Sequence, residues 1–181
     1  MRIIGGSLKG RIIKFPKDLP VRATTDFAKE GLFNILVNKL DFDATAVLDL
    51  FSGSGHISLE FASRGSENIT AVDENFKCVT FLKTISQELN LNVNAVKSDV
   101  FDFLKKTSSK FDLIFADPPY EMENIPMIHQ LVFEKQLLQP GGLLIIEHGP
   151  RTKLDTLGNF SQHRKYGNVN FSFFLQPAPN L

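Results

Sequence analysis

From residue 45 onward, short apolar runs alternate with segments whose apolar residues recur at the spacing of an α-helix. The apolar runs predict five strands, at 46–51, 69–73, 93–96, 111–116 and 143–147. The segments between them predict helices at about 56–64, 75–90, 101–106 and 124–138, and Pro140-Gly141-Gly142 marks the end of the last one. Strands that alternate with helices predict a mostly parallel sheet that is covered on both faces.

The N-terminal residues follow another pattern. Two β-branched runs flank a glycine-rich turn, which predicts a small hairpin over residues 3–13. Farther along the chain, apolar residues recur at helical spacing over residues 25–40, and Thr24-Thr25-Asp26 offers N-cap oxygens at the start of that segment. We therefore expect an amphipathic helix that follows the hairpin.

The last thirty residues predict a second hairpin, with strands at 160–165 and 169–175. In the second of these strands, the alternation predicts that Phe171, Phe173 and Leu175 face inward, whereas Phe174 is off that pattern. An antiparallel edge is a common addition to a parallel sheet. The whole pattern predicts an α/β fold with a mostly parallel seven-stranded sheet.

Composition places the chain among ordinary globular proteins. Of its 181 residues, 43% are hydrophobic and 22% are charged, which suits one domain with a small appendage. No apolar run approaches the roughly 20 residues of a membrane span, and the N-terminus lacks a signal-peptide pattern. The single cysteine, Cys78, excludes an internal disulfide and a cysteine-based zinc cluster. We expect a cytoplasmic protein.

The formal net charge is zero, but the charge is unevenly distributed. Residues 1–22 contain six basic side chains and one acid, and residues 148–181 contain four basic side chains and one acid. The segment between them contains ten basic and eighteen acidic side chains. Basic ends could hold a polyanion while the acidic middle carries out chemistry. Alternatively, the basic side chains only solvate exposed hairpins.

A glycine-rich loop joins the first predicted strand to the first helix of the alternating pattern. Gly53 and Gly55 allow the backbone to pass close to a ligand, and the helix that follows offers its positive N-terminal end. Ser58 stands where the dinucleotide fingerprint has its third glycine. A glycine loop alone is a weak signal, so the choice of ligand depends on the neighbouring residues.

Four aspartates come at the C-terminal ends of predicted strands: Asp49, Asp73, Asp99 and Asp117. Ligands of open α/β sheets bind outside those ends, so the four should share one crevice. Asp73 suits a ribose diol, Asp99 could reach an adenine edge, and Asp49 could meet a cationic amine. Each of them alone could instead be only a helix N-cap.

These acids help to identify the ligand. They would repel a pyrophosphate, which argues against a nicotinamide dehydrogenase. S-adenosylmethionine carries an ammonium and a sulfonium and no phosphate, so it suits the crevice better. The predicted cofactor-binding residues are Asp49, Phe51, Gly53, Gly55, Asp73, Asp99 and Asp117.

The fourth strand is followed by Asp117-Pro118-Pro119-Tyr120, hereafter the DPPY motif. Each proline fixes φ and lacks an N–H, and Pro119 pushes Pro118 toward an extended conformation, so the carbonyls are free to accept hydrogen bonds. Such a site suits a planar group with an exocyclic NH2, although a Pro-Pro turn could also simply end a strand. As catalytic residues we predict Asp117 and Pro118 as acceptors of the amino hydrogens, Pro119 as a rigid support and Tyr120 as a stacking ring. We expect no metal.

Over nearly its full length the chain resembles the bacterial 16S rRNA guanine-N2 methyltransferases of the RsmD type. The similar stretches are Arg2-Ile3-Ile4-Gly5-Gly6 with Lys9-Gly10-Arg11, Arg22-Ala23-Thr24-Thr25-Asp26 with Leu32-Phe33-Asn34-Ile35-Leu36, Leu48-Asp49-Leu50-Phe51-Ser52-Gly53-Ser54-Gly55, Ser63-Arg64-Gly65, the DPPY motif and Lys165-Tyr166-Gly167. The chain has Ala23 and Phe27 where that family usually has proline and arginine.

The resemblance implies a Rossmann-like class I methyltransferase fold, S-adenosylmethionine as methyl donor and the N2 amine of a guanine in 16S rRNA as acceptor. It implies an RNA-contacting extension at residues 1–22 and a methyltransferase domain at residues 23–181. The nucleic-acid-binding residues that it implies are Arg2, Lys9, Arg11, Arg22 and Thr24. We expect a monomer that acts on small-subunit rRNA or the assembling 30S subunit.

Two other functions remain open. The same motif serves amino methylation of adenine N6 or of a protein glutamine, although glutamine enzymes more often carry asparagine where Asp117 stands. The fold could also serve a non-catalytic RNA-binding assembly factor. Retention of the glycines, Asp73 and the DPPY motif argues against a site without activity.

Overall fold

The computed structural model describes residues 1–16, 19 and 25–178 of the chain. Its strands are β1 Ala46–Leu50, β2 Asn68–Asp73, β3 Val93–Lys97, β4 Phe111–Ala116, β5 Leu138–His148, β6 Phe160–Tyr166 and β7 Val169–Leu175. Its α-helices are α1 Asp26–Leu36, α2 His56–Ser63, α3 Phe76–Glu88, α4 Val100–Lys106 and α5 Ile125–Glu134. A short 3-10 turn at Phe42–Ala44 precedes β1.

The seven strands form one sheet in the order β3-β2-β1-β4-β5-β7-β6. The first five strands pair in parallel, and β7 then pairs antiparallel with both β5 and β6. The predicted seven-stranded, mostly parallel sheet with an antiparallel C-terminal hairpin is therefore confirmed. Because all parallel strands end at the same edge, the loops after β1, β2, β3 and β4 lie next to one another.

Helices cover both faces of the sheet. On one face α4 and α5 pack against residues such as Leu48 and Ile114, and on the other α1 and α2 pack against residues such as Val47 and Phe115. Successive side chains of a strand point to opposite faces, so a strand covered on both sides is apolar at nearly every position. The continuous apolar runs in the sequence have this cause.

Phe174 lies off the face shared by Phe171 and Phe173, as predicted, but it is buried on the opposite face, and the predicted inward position of Leu175 is wrong. Phe171 and Phe173 pack on one face of the sheet and Phe174 on the other, and all three are fully buried. Leu175 is 43% exposed at the end of the strand. The side chains of β7 alternate between the two faces of the sheet, and Phe174 is buried because both faces are covered there.

The prediction that Pro140-Gly141-Gly142 ends the last helix is also wrong. Helix α5 ends at Glu134, where Gln136 adopts a left-handed φ of 52° and the Leu137 N–H donates to the Val132 carbonyl. This is a Schellman ending without its usual glycine, so the sequence carries no signal for it. The Pro-Gly-Gly segment instead lies inside β5, at a shift in its register with β4.

The predicted N-terminal hairpin is present as a short antiparallel pair. The Ile3 N–H donates to the Arg11 carbonyl at 2.9 Å, and the Ile13 N–H donates to the Met1 carbonyl at 2.8 Å. Ile3 and Ile13 are buried in a cluster with residues of α2 and α3. The hairpin thus packs on these two helices, while the proposed domain boundary at residue 22 falls outside the described residues and stays a prediction.

A buried carboxylate connects this hairpin to the helices. Glu60 of α2 is completely buried and accepts from the Ile4 N–H at 3.0 Å. It forms ion pairs with Lys29 of α1 at 3.5 Å and with Arg64 at 2.9 Å. Burial lowers the pKa of Lys29, and the charge of Glu60 opposes that shift.

Helices in the described ranges are all too short or too polar to cross a membrane.

We predict that Glu60→Gln lowers the free energy of unfolding by roughly 3–5 kcal/mol, because it leaves buried Lys29 without its counter-ion. Urea unfolding measures the change. The matched control is Glu134→Gln, which removes an exposed acid and should stay within about 0.5 kcal/mol of the wild type. Equal effects of the two substitutions would contradict a stabilising role for the buried carboxylate.

Candidate active site

A cavity of about 570 Å3 opens at the C-terminal ends of β1, β2, β3 and β4. Its wall contains residues 51–54 of the glycine loop, 73–75 after β2, 99–100 before α4 and 117–122 after β4, together with His56 and Cys78. Its volume is typical of sites for small molecules and cofactors. The structure therefore brings the predicted motifs to one place.

The glycine loop, residues 51–55, has a backbone that favours glycine. Gly53 and Gly55 have φ values of 51° and 74°. A Cβ on Gly55 would lie 2.3 Å from Leu82 Cδ1, so α3 approaches the loop closely only because no side chain is present. Phe51, with φ of 59°, also adopts the left-handed region and lines the cavity. Strain of this kind, of about 1–3 kcal/mol, is usually kept where a site requires it.

Asp73 joins the glycine loop to the end of β2. One carboxylate oxygen accepts from the Gly53 N–H at 2.8 Å, and the other accepts from the Asn75 N–H at 2.8 Å. Asp99 lines the same cavity and caps α4 by accepting from the Asp102 N–H at 2.9 Å. Asp99 thus combines a position in the cavity wall with the capping role that sequence analysis kept as an alternative, whereas Asn75 and not Asp73 caps α3.

Asp49 and Gly55, by contrast, do not line the cavity. Asp49 is buried and accepts from both the N–H and the hydroxyl of Ser58, at 3.1 and 2.6 Å. Burial raises the pKa of Asp49 to about 7; the Ser58 hydrogen bonds oppose the shift and the charge of Asp73 adds to it. Ser58, at the place of the third glycine, therefore serves to bind this carboxylate.

All four residues of the DPPY motif line the cavity. Asp117 is half-buried, and its N–H donates to the Leu50 carbonyl at 3.3 Å, which joins the motif to the end of β1. The Tyr120 hydroxyl donates to Glu147 Oε1 at 2.8 Å. Glu147 is completely buried near the C-terminal end of β5.

Sequence reasoning missed Glu147, although a signal was present. The rule that singled out the four aspartates, an acid at the C-terminal end of a strand, applies to Glu147 at the end of β5 as well. Glu147 is the last residue of the predicted strand 143–147, and it was therefore assigned to the strand without a role in the site. Its hydrogen bond to Tyr120 shows that it fixes the orientation of a cavity-lining ring.

His56, to which sequence analysis gave no role, lies in the cavity wall as the first residue of α2. Its Nε2 is buried and has no hydrogen-bond partner among the residues that the structure describes. Burial, with a contribution from the positive charges of Lys29 and the chain N-terminus, lowers the pKa of His56 to about 3. His56 is therefore a neutral imidazole with an unused polar nitrogen.

Three of the five residues predicted to bind nucleic acid lie outside the cavity wall. Arg2, Lys9 and Arg11 are exposed on the N-terminal hairpin, outside the cavity wall, and Arg2 also pairs with Asp26 at 3.1 Å. Arg22 and Thr24 fall outside the described residues. The structure thus separates a basic hairpin from an acidic cavity.

Comparison with known proteins identifies relatives over the full length of the chain. The family model described as Conserved hypothetical protein 95 matches residues 1–175. The YlbH protein of Bacillus subtilis is 36% identical over an alignment that spans 96% of this chain and 98% of that protein. Ribosomal RNA small subunit methyltransferase D of Escherichia coli is 31% identical, with 98% of this chain and 91% of that protein aligned.

Solved structures give the same result for the fold. The yhhF protein from Escherichia coli superposes with a TM-score of 0.84 at 27% identity, with 98% of each chain covered. The 16S rRNA N2 G1207 methyltransferase (RsmC) of T. thermophilus, in complex with AdoMet and guanosine, superposes with a TM-score of 0.70 at 25% identity. That superposition covers 97% of this chain and 49% of the other. The predicted class I methyltransferase fold and the family resemblance are confirmed.

We predict that Asp49→Asn changes how stability depends on pH. The folded pKa of about 7 lies above the ordinary value, so protonated Asp49 stabilises the fold below pH 4 and this contribution is lost as the pH rises through about 7. The wild type should therefore lose stability relative to Asp49→Asn by up to about 1.4 kcal/mol per pH unit. Urea unfolding between pH 5 and 8 measures the difference. Parallel pH profiles would contradict the raised pKa.

Proposed function

The chain belongs to the Conserved hypothetical protein 95 family, to which ribosomal RNA small subunit methyltransferases D are related, and we propose that it methylates the exocyclic N2 amine of a guanine in 16S rRNA with S-adenosylmethionine. The observation that carries this proposal is the shared cavity. The DPPY motif, which suits an amino acceptor, lies in the same wall as the glycine loop and Asp73, which suit the methyl donor. The similarity to a 16S rRNA N2 methyltransferase structure with AdoMet and guanosine supports it.

The residues around the cavity fit S-adenosylmethionine. Strand order along the sheet edge is β3, β2, β1, β4, so Asp99, Asp73, the glycine loop and the DPPY motif follow one another in that order. Adenine near Asp99, ribose at Asp73 and the amino-acid end at the glycine loop would place the sulfonium methyl toward Asp117. Both oxygens of Asp73 already accept backbone N–H groups, but each has a second lone pair for a ribose hydroxyl.

The charge of the cavity suits this ligand. Its wall contains Asp73, Glu74, Asp99, Asp117 and Glu121, and no Lys or Arg from the described part of the chain lines it. Acids favour a ligand with an ammonium and a sulfonium and disfavour one with phosphates. His56 Nε2 supplies a buried polar nitrogen that a polar ligand would satisfy. These features together support a methyl donor rather than a dinucleotide.

In the proposed reaction, the protein prepares a weak nucleophile. The lone pair of guanine N2 is delocalised into the ring, so the nitrogen attacks only if it can become pyramidal. Asp117 and the Pro118 carbonyl would accept its two hydrogens and hold the lone pair toward the methyl group. S-adenosylmethionine, when bound, supplies a methyl group whose bonding electron pair leaves with sulfur as the new N–C bond forms. Asp117 would then take up the proton that the methylated nitrogen releases.

Tyr120 is proposed to stack on the target base. Its ring is held from two sides. The hydroxyl donates to Glu147, and the ring packs so closely on Gly149 that a Cβ added there would lie only 2.8 Å from Tyr120 Cδ2. An aromatic ring fixed in this way is ready to stack, a contact that contributes about 1–3 kcal/mol per base. The base must first leave its helix or loop to enter the cavity.

The basic hairpin is proposed to hold the RNA. Arg2, Lys9 and Arg11 are exposed and could neutralise phosphates, and Arg22 and Thr24 are proposed to extend this surface. Because Ile4 and Ile3 fix the hairpin to α2 and α3, the RNA-binding surface would keep a constant position relative to the cavity.

We predict that 16S rRNA from cells lacking this protein has lost a single N2-methylguanosine, which mass spectrometry of rRNA digests detects. Purified protein with S-adenosylmethionine should restore it, on either free rRNA or 30S subunits. Loss of N6-methyladenosine or of a methylglutamine instead would identify one of the alternative acceptors. Unchanged RNA and protein would contradict methyl transfer altogether.

We also predict that Asp117→Ala lowers the rate of methyl transfer by about 100-fold or more, because it removes an acceptor that positions the amine. Affinity for S-adenosylmethionine, measured by calorimetry, should change little. Asp155→Ala is the control, since Asp155 is exposed and outside the cavity wall. A fully active Asp117→Ala enzyme would disprove the assignment of the motif.

A further inference from the structure

A ligand with an amino-acid end carries both an ammonium and a carboxylate. The cavity wall offers more partners to the ammonium than to the carboxylate. The wall contains five acidic side chains that favour an ammonium or sulfonium, whereas none of its described residues is a Lys or Arg that could receive a ligand carboxylate. A carboxylate that enters this cavity would therefore lie among like charges unless a neutral donor receives it. His56 is the histidine in the wall, and its Nε2 is buried without a partner among the described residues.

We propose that His56 Nε2 donates a hydrogen bond to the carboxylate at the amino-acid end of S-adenosylmethionine. This inference rests on the proposed function, because it assumes that S-adenosylmethionine is the ligand. It gives a role to a side chain that neither the glycine loop nor the DPPY motif explains.

The position of His56 in the fold agrees with this role. His56 follows the glycine loop after β1, and β1 lies between β2, which ends at Asp73, and β4, which leads to Asp117. The nucleoside would occupy the side of β2 and β3, and the methyl group must point toward β4. The amino-acid end of the ligand is then left near the start of α2, where His56 lies.

The charges behind His56 also favour an anion. Lys29 and the chain N-terminus both act on the imidazole and disfavour its protonation. The same positive charges disfavour an ammonium at this point and favour a carboxylate. Glu60 pairs with both Lys29 and Arg64, so it compensates only one of those two positive charges and leaves the N-terminus uncompensated by this group.

Three ligands test the proposal by calorimetry. S-adenosylhomocysteine carries the carboxylate and the ammonium, decarboxylated S-adenosylmethionine lacks the carboxylate but keeps the ammonium and the sulfonium, and 5′-methylthioadenosine lacks the amino-acid end. His56→Phe removes the donor and keeps a ring, and we expect it to weaken binding of S-adenosylhomocysteine by about 10-fold to 100-fold. The other two ligands should bind as they do to the wild type. His56→Gln, which can still donate, should retain most of the affinity.

The matched control is His129→Phe, since His129 lies outside the cavity wall and instead contacts the Gly158 carbonyl. It should leave the affinity for all three ligands unchanged. Thermal unfolding without ligand shows whether each variant is folded. If His56→Phe does not fold, His56→Ala removes the donor in its place, and the same loss of affinity for S-adenosylhomocysteine is expected.

Two outcomes overturn the inference. Equal weakening of all three ligands by His56→Phe would indicate a role in the shape of the cavity, and unchanged binding of S-adenosylhomocysteine would exclude the hydrogen bond. Both differ from failure of the proposed function itself, in which the wild type would bind neither S-adenosylmethionine nor S-adenosylhomocysteine.

Discussion

The buried carboxylate of Glu60 determines how three parts of the chain meet. It accepts from Ile4 of the N-terminal hairpin and pairs with Lys29 of α1 and Arg64 after α2. An unpaired charge in this position would be strongly unfavourable, so the three parts must stay together for the protein to remain folded. Because α2 begins directly after the glycine loop, the same interaction fixes the start of α2 and with it one side of the cavity. Lys29, held in place by Glu60, is also one of the charges that keep His56 neutral.

A second constraint is the parallel sheet, which brings distant residues to one edge. Residues 53, 73, 99 and 117 are far apart in sequence but follow four strands that end side by side. At that edge, single side chains often have two roles. Asp73 closes the glycine loop and faces the cavity, and Asp99 caps α4 and faces the cavity. The choice between a cap and a ligand site, which sequence analysis left open, is therefore not exclusive, since a carboxylate has enough lone pairs for both.

The sequence was sufficient where one local signal determines one structure. Apolar runs gave the five parallel strands and the C-terminal hairpin, and the DPPY motif with the glycine loop gave the wall of the cavity. It was insufficient where contacts between segments that are distant in sequence determine the conformation. Gln136 ends α5 in a left-handed conformation without the usual glycine, and Phe174 is buried because a second layer covers its face. Asp49 lies near the end of a strand, as the sequence indicates, but its carboxylate accepts a hydrogen bond from the Ser58 hydroxyl. The pKa of His56 is lowered by burial and by the charges of Lys29 and the N-terminus, which lie far from it in the sequence.

The separation between the cavity and the hairpin suggests how the proposed methyl transfer could be restricted to one type of substrate. The proposed acceptor pair, Asp117 and the Pro118 carbonyl, would suit any flat amino group, whether it belongs to guanine, adenine or glutamine. Under the proposed function, surfaces that position the carrier of that amine would contribute to discrimination, and the exposed basic side chains of the hairpin suit a polyanion. Positioning of this kind requires a fixed distance between the two surfaces, because a small displacement of the nucleophile greatly slows the reaction. Ile3 and Ile13 bury the hairpin against α2 and α3, and Glu60 bonds it to α2, so the fold provides that fixed distance.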